Sequence, residues 1–347
     1  MYELKEIKKL RTYFNGFLTN KENYEIRFSK LETGDLLSVM IIDGFTVKYL
    51  VKSVDGNADF KFDNLVVKFV DFYDKLGGIK GVKVLDFRFN EKFYLFVEDK
   101  TGEKTYPMEF HQIKTRNFDG ETIVNVQVEA LSNAIGLNGS SAKSGVSEFD
   151  SNVAVSITND IMYLNSYTKG LYVGNKLSIE NGKPFQFTIS NNKIAMLKKW
   201  FKYAKDPRKI NDDYVMMKVY SMHLSLNIGE ISIIFPINVN VKDVCQKYEA
   251  ITNFAYPTKE KFKFSQMKDL VSKANKEKRN EMDFEDILEH SSTIYRPLVS
   301  DVIYQLSDMD GGMVCSIVDS RNDIIQIKVD LPFLYSTILF FSRKQPV

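Results

Sequence analysis

The sequence predicts an α+β protein built from repeated units, each a strand, a helix and further antiparallel strands. Three observations carry this reading. Alternating apolar stretches are separated by tight-turn pairs such as Thr33-Gly34, Asp43-Gly44 and Asp55-Gly56, a signature of antiparallel hairpins. Between them lie segments with apolar residues at helical spacing, as in Ile194, Leu197, Phe201 and Ala204. The order strand, helix, strands then recurs at intervals of roughly 55 residues, although almost no residue identities recur with it.

In chain order, Leu4, Ile7, Leu10 and Phe14 share one helical face, with Lys5, Lys8, Lys9 and Thr12 on the next. After Asn15-Gly16 the period changes, and residues 24–56 read as three or four strands. A strand then leads into a short helix from about Lys68 to Leu76, ended by Gly77-Gly78. Three more strands close on Pro107. Residues 111–122 are polar and aperiodic, which reads as a linker. The same order follows: a strand and an almost uncharged helix over Val128–Leu137, strands turning at Asn159-Asp160 and Lys169-Gly170, then a strand, a basic helix and strands ending on Pro236. Residues 238–257 read as a second connector. Beyond it come a strand, a Lys-rich helix, an acidic stretch, and three strands, VIYQLSDMDGG, MVCSIVD and IIQIKVDLP, closed by Pro332. The last residues could start a sixth unit without completing it. The expectation is four full units and one distorted unit, in domains 1–116, 117–240 and 241–347.

The 347 residues suffice for two or three domains, each with its own core. Cys245 and Cys315 have no CxxC and no histidine nearby, and read as core thiols. The charged N-terminus has no apolar signal segment, and no stretch is long and apolar enough for a membrane span, so a cytoplasmic protein without membrane contact is expected. With 47 basic and 45 acidic residues the net charge is only +2, so any binding of nucleic acid must come from where the charges lie.

Catalysis finds little support. His111, His223 and His290 form no HExxH or HxH pattern, and neither GxGxxG nor GxxxxGKS occurs. Asp283, Glu285, Asp286 and Glu289 could gather a magnesium ion, but a solvated acidic face explains them more simply. The expectation is therefore no enzyme, no cofactor and no metal.

What remains is concentrated positive charge. Lys198, Lys202, Lys205 and Lys209 recur at i, i+4, i+7 and i+11 beside the buried stripe of their helix. Lys193 to Lys209 holds seven basic residues (Lys193, Lys198, Lys199, Lys202, Lys205, Arg208, Lys209) against one acid, Asp206. Met267 to Arg279 holds five (Lys268, Lys273, Lys276, Lys278, Arg279) against Asp269 and Glu277. Such faces contact phosphates without reading sequence, or are simply solvated faces of amphipathic helices.

Repeated strand-helix-strands units with basic helices and apolar closing strands ending in Pro resemble the sliding-clamp family of DNA polymerase processivity factors, in a phage-type form. The passages that carry this are MYELKEIKKLRTYFNGF, VVKFVDFYDKLGGI with KFYLFVEDKTGEKTYPM, and FQFTISNNKIAMLKKWFKYA with VMMKVYSMHLSLNIGEISIIFPI. The resemblance implies antiparallel sheets outside and helices inside a closed homo-oligomeric ring, a dimer or a trimer. It implies duplex DNA held without sequence preference by Lys5, Lys8, Lys9, Lys198, Lys202, Lys205, Lys209, Lys268, Lys273 and Lys276. It also implies a DNA polymerase and a clamp loader docking through short peptides. Abundant Lys, Asn, Phe and Tyr with little Ala point to an AT-rich genome, such as a low-GC bacterium or its phage. Two other readings stay open. Aromatic residues, 13% of the chain, could stack on single-stranded nucleic acid, and β-rich repeats could belong to a phage structural protein.

Overall fold

The computed structural model describes residues 1–56, 61–114, 120–142, 152–168, 170–206, 210, 212–239, 241–283, 293–309, 312–318 and 324–341. Among the described residues a strand runs straight into a helix six times. The first pass is β1 (Tyr2–Glu3), α1 (Leu4–Asn15), β2 (Glu25–Lys30), β3 (Leu36–Ile42) and β4 (Phe45–Val51). The second is β5 (Phe62–Lys68), α2 (Phe69–Gly78), β6 (Val84–Asn90), β7 (Lys92–Asp99) and β8 (Gly102–Met108), with the short β9 (His111–Gln112) after it. The third is β10 (Glu121–Gln127), α3 (Val128–Ala142), β11 (Asn152–Ile157), β12 (Ile161–Thr168) and β13 (Leu171–Ser178). The fourth is β14 (Phe185–Ser190), α4 (Asn191–Ala204), β15 (Tyr214–Tyr220), β16 (His223–Ile228) and β17 (Ile231–Pro236). After α5 (Lys242–Asn253) the fifth is β18 (Thr258–Phe262), α6 (Phe264–Lys276) and β19 (Glu281–Asp283). The sixth is β20 (Thr293–Tyr295), α7 (Arg296–Ser307), β21 (Gly312–Val318), β22 (Ile324–Leu331) and β23 (Leu334–Phe341).

This corrects the sequence reading in its last third. VIYQLSD is the end of helix α7 and not a strand, because Val299, Val302, Ile303 and Leu306 are buried at helical spacing. The supposed connector 238–257 contains α5. The final apolar run is β23, which completes the sixth unit, so the distorted unit is the fifth, reduced to one short strand after its helix. Of the acidic group, Asp283 ends β19, while Glu285, Asp286 and Glu289 lie outside the described residues.

The repeat also appears in the hydrogen bonding. Within each pair of units, the strand that precedes one helix pairs with the strand that follows the other. Thus β1 pairs β6 and β5 pairs β2, β14 pairs β11, β18 pairs β21 and β20 pairs β19. Continuing ladders also replace side-chain caps at the helix starts, where free N–H groups need acceptors. Leu4 N donates to Lys83 O at 2.8 Å, Phe69 N to Tyr24 O at 2.9 Å and Val128 N to Asp213 O at 2.8 Å.

The chain divides into two compact units. The first comprises Met1–Thr122, Lys202–Asp212 and Met216–Pro236. It contains the sheet β1-β6-β7-β8 and the run β16-β17-β4-β3-β2-β5-β9, all antiparallel. Its core is aromatic: Phe28 lies 5.0 Å from Phe87 and 5.2 Å from Phe72 between ring centroids, which ties both sheets to α2. Beside these rings Lys30 Nζ meets Asp86 Oδ1 at 2.9 Å, with side chains only 1% and 6% exposed.

The second unit comprises Ile123–Phe201, Asp213–Val215 and Ile237–Val347. Its sheet runs β14-β11-β12-β13-β23-β22-β21-β18. Strand alternation sends Leu171 and Val173 to the core formed with α3, α6 and α7, and Tyr172 to the opposite face under α5. There the Tyr172 hydroxyl donates to Tyr248 O at 2.8 Å and lies 2.7 Å from Thr252 Oγ1. Gly174 is what lets α5 sit so close, since a Cβ on it would collide with Thr252 Oγ1. Gly139 plays the same part between helices: a Cβ there would stand 2.6 Å from both Ile194 Cγ2 and Lys198 Cε of α4. The nearly uncharged α3 thus has its faces occupied by neighbours.

Both thiols are buried and free. Burial pushes Cys245 up to about 11 and Cys315 up to about 12, so both stay protonated at neutral pH. The folded protein is expected to leave a thiol reagent such as Ellman's unconsumed at pH 7.5, and both cysteines should react once denaturant is added.

The β7–β8 turn has a different titration. Asp99 accepts from Lys104 Nζ at 2.6 Å, and from the Thr101 backbone N–H at 2.8 Å, with the Thr101 hydroxyl also donating. Lys104 first, and Thr101 after it, hold this carboxyl down at about 2. A carboxyl lowered on folding stabilises above its unfolded value, about 4, and that contribution is lost as pH falls through about 2. Amide exchange in this hairpin should therefore accelerate between pH 4 and pH 2 relative to the neighbouring β6–β7 pair, and Asp99→Asn should remove the difference.

Candidate nucleic-acid interface

The basic residues lie on helices whose opposite faces are anchored in the cores. In α1, burial of Leu4, Ile7, Leu10, Tyr13 and Phe14 leaves Lys5 and Lys8 exposed and Lys9 half-buried. Lys5 pairs with Glu3 at 2.7 Å and Lys9 with Glu6 at 3.1 Å, so the free end of this stripe is Lys8. Exposed pairs of this kind contribute little and yield readily to a stronger anion. Next to Lys8 on the chain's own surface is a cluster absent from the sequence reading. Arg11 Nη1 donates to Tyr73 O of α2 at 3.2 Å, Arg11 Cζ lies 4.3 Å from the centroid of the Tyr73 ring, and Lys21 Nζ lies 3.6 Å from it. No periodicity joins Arg11, Lys21 and Tyr73, since folding alone brings them together.

In α4 the buried residues are Ile194, Met196, Leu197, Trp200, Phe201, Tyr203 and Ala204. Lys202 and, just past the helix, Lys205 are exposed, while Lys198 is half-buried beside Gly139. Lys199 is exposed three residues before Lys202, on the same face, and the sequence reading did not single it out. Asn191–Ala204 contains no acidic residue. Burial depresses the Lys193 ammonium below its usual range, so this end of the helix is less wet than the end bearing Lys202. Lys209 lies outside the described residues.

In α6, Met267, Val271 and Ala274 are buried. Lys268 is half-buried with its Nζ 5.1 Å from the Phe264 ring, and Lys273 and Lys276 are exposed in the last turn, where cations complement the helix dipole.

Within each compact unit the geometry brings some of these helices together. In the first, Tyr13 of α1 meets Tyr203 at 4.7 Å between centroids, which sets Lys202 and Lys205 in the same unit as Lys5, Lys8 and Lys9. In the second, α4 packs on α3 at Gly139, α3 on α7 at Gly136 beside Gln305, and α7 on α6. Lys198 and the α6 lysines therefore belong to one row of helices, separated by α3 and α7.

Such a surface can hold a polyanion through many screened contacts. Among the described residues no group of three or more His, Cys, Asp or Glu side chains could hold a metal ion. His111, on β9, is exposed and 4.0 Å from Glu25, His223 is exposed on β16, and His290 lies outside the described residues. No described helix is long and apolar enough to cross a membrane.

No protein-family model matches the chain, and no curated protein does. Solved structures do. The Helicobacter pylori β clamp in complex with 5-chloroisatin matches at 9% identity with a TM-score of 0.70, covering 99% of each chain. The Bacillus subtilis DNA polymerase sliding clamp matches at 7% identity and a TM-score of 0.70, covering 99% of this chain and 98% of its own. The Helicobacter pylori β clamp bound to a DNA ligase peptide matches at 9% identity and a TM-score of 0.69, covering 99% of both. The chain has the fold of these sliding clamps over 99% of its length, whereas the resemblance in the sequence rested on residues 1–237.

Proposed function

From the sliding-clamp fold as premise, we propose that this chain is a processivity factor that encircles duplex DNA and tethers a replicative polymerase. The observation that carries the reading is end-to-end likeness to clamps over 99% of both chains, in a protein whose exposed lysines recur on the corresponding repeated helices. Its work is non-enzymatic. Lys5, Lys8, Lys9, Lys198, Lys202, Lys205, Lys209, Lys268, Lys273 and Lys276 face the phosphates, and Lys199, Arg11 and Lys21 join them. Screened contacts of this kind retain the duplex without fixing a register, which permits sliding.

The chain would form three domains, 1–116, 117–240 and 241–347, because the strand exchange of the hydrogen-bonded pairs occurs in three successive pairs of units. Two copies would then close the ring. Among the described residues the outer strand β8 of the sheet β1-β6-β7-β8 is exposed and unpaired on one side, and an unpaired edge is where a second copy adds its strands. Polymerase, loader and ligase would dock through short peptides, as the ligase peptide does on the Helicobacter pylori clamp.

A stacking protein for single strands is less well supported. Phe87 and Phe93 are fully buried, and Phe89 and Tyr94 are half-buried in the same hairpin, so these rings are core. Retention on DNA tests the choice. Loaded onto a nicked circle, a clamp stays through gel filtration at 150 mM salt and is lost when a restriction enzyme opens the circle. Equal loss from both substrates, or tight binding to a short single-stranded oligonucleotide, would reject the proposal.

A further inference from the structure

The first compact unit has a second surface that the clamp reading leaves unused. On the run β5-β2-β3-β4, alternation turns Ile26, Phe28, Met40, Val47 and Tyr49 into the core and sends the intervening residues to the other face. On that face the register aligns Val66, Arg27, Val39 and Lys48 in one row across four strands. Facing residues in such a row are about 5 Å apart, so two cations flank Val39. Neither Arg27 nor Lys48 has a carboxylate within ion-pair reach among the described residues. Asp63, the acid acting on Arg27, is already engaged by the Ser29 hydroxyl at 2.7 Å and the Asn64 amide at 2.6 Å. Burial, with Arg27 as a further cause, depresses the Lys48 ammonium. Val39 and Val66 are only 6% and 3% exposed, whereas Ile41 is 64% exposed at the rim of a pocket of about 370 Å³ that Arg27, Val39, Val66 and Ile113 help to line. Glu22, Asn23, Tyr24, Glu25 and Lys68 line its remaining wall.

Partly desolvated cations without a counter-ion are costly, and they are neutralised when an anion arrives with its own apolar neighbours. We propose that this face docks an extended acidic segment of a partner protein that carries two carboxylates and an aliphatic side chain at every second position, so that all three lie on one side of the segment. The carboxylates meet Arg27 and Lys48, and an aliphatic side chain covers the exposed Ile41. Alternation suits a sheet surface, where every second residue of an extended segment points the same way. This docking is independent of DNA encirclement.

A labelled hexapeptide Asp-Ser-Leu-Ser-Asp-Ser, whose two Asp and one Leu share one side when extended, tests it by fluorescence anisotropy on the full chain at 50 mM salt. Binding should weaken at least tenfold with R27Q/K48Q and with the peptide's Asp changed to Asn, and should persist with Lys202→Glu. The unfolding midpoint of R27Q/K48Q should equal or exceed that of the parent, because two unpaired cations are removed. No binding of the acidic peptide, equal binding to the variant, or displacement by inorganic phosphate at equal ionic strength, which marks a simple anion site, would overturn the proposal. So would a lowered midpoint, which would mean that these cations are structural.

Discussion

Changing Lys199, Lys202 and Lys205 together to Glu is expected to flatten the salt dependence of duplex binding. Each phosphate contact contributes about 0.9 to the slope of log K against log salt, so three lost contacts should lower that slope by about 2–3 units. At a fixed 50 mM salt the affinity should fall by more than tenfold, since three repulsive carboxylates replace three cations. All three residues are exposed, so thermal unfolding should remain within the usual range of surface changes, about 0.5 kcal/mol each. Anisotropy titrations of a 30-base-pair duplex over a salt series provide the measurement. An unchanged slope would remove α4 from the DNA-facing surface. Lys198 is the poorer choice for this variant, because its side chain lies beside Gly139 and its reversal would also disturb the α3–α4 contact.

Asp86→Ala is expected to have the largest effect on stability. The change leaves Lys30 Nζ, in a side chain 1% exposed, without its partner at 2.9 Å, and loosens Arg88, whose Nε donates to the same carboxylate at 3.4 Å. Breaking a buried pair from one side costs about 3–5 kcal/mol, whereas replacing both partners with apolar residues of similar size is often neutral. Urea unfolding should therefore show Asp86→Ala well below the parent and Lys30→Met/Asp86→Leu near it. If the double variant were as unstable as the single one, the pair would be holding β2 to β6 through its hydrogen bonds and not merely satisfying a buried charge. The Asp86 carboxylate also accepts from Phe87 N at 2.9 Å, which the double variant tests at the same time.

The sequence was most legible where one local signal sufficed. The stripe Ile194, Leu197, Phe201, Ala204 placed α4, and the Gly-containing turns placed the hairpins around β3, β4, β12 and β13. It was least legible where packing overrode local preference. The segment 296–307 is rich in Val, Ile and Tyr, which favour strands, yet it forms α7 because Val299, Val302, Ile303 and Leu306 fill one face of the second unit's core. The helix α5 has a thin apolar stripe, Cys245 and Tyr248 with Ile251, and its position depends on the fit of its own Thr252 against Gly174, distant in sequence. The run Leu334–Phe341 is apolar enough to be any strand, and pairing with both β22 and β13 fixes it as the central link of its sheet. For the candidate interface, helical spacing located lysines but could not distinguish exposed Lys199 from half-buried Lys198. It also could not foresee that Arg11 and Lys21 would flank Tyr73. The row of Arg27, Val39, Lys48 and Val66 depends on strand register, which a single sequence does not state.

Particle images of the purified protein show directly whether two copies close into a ring. Rings of two copies around a hole wide enough for duplex DNA are expected. Single unpaired chains, or open strings of copies, across the concentration range in which the protein is retained on circular DNA would contradict this expectation.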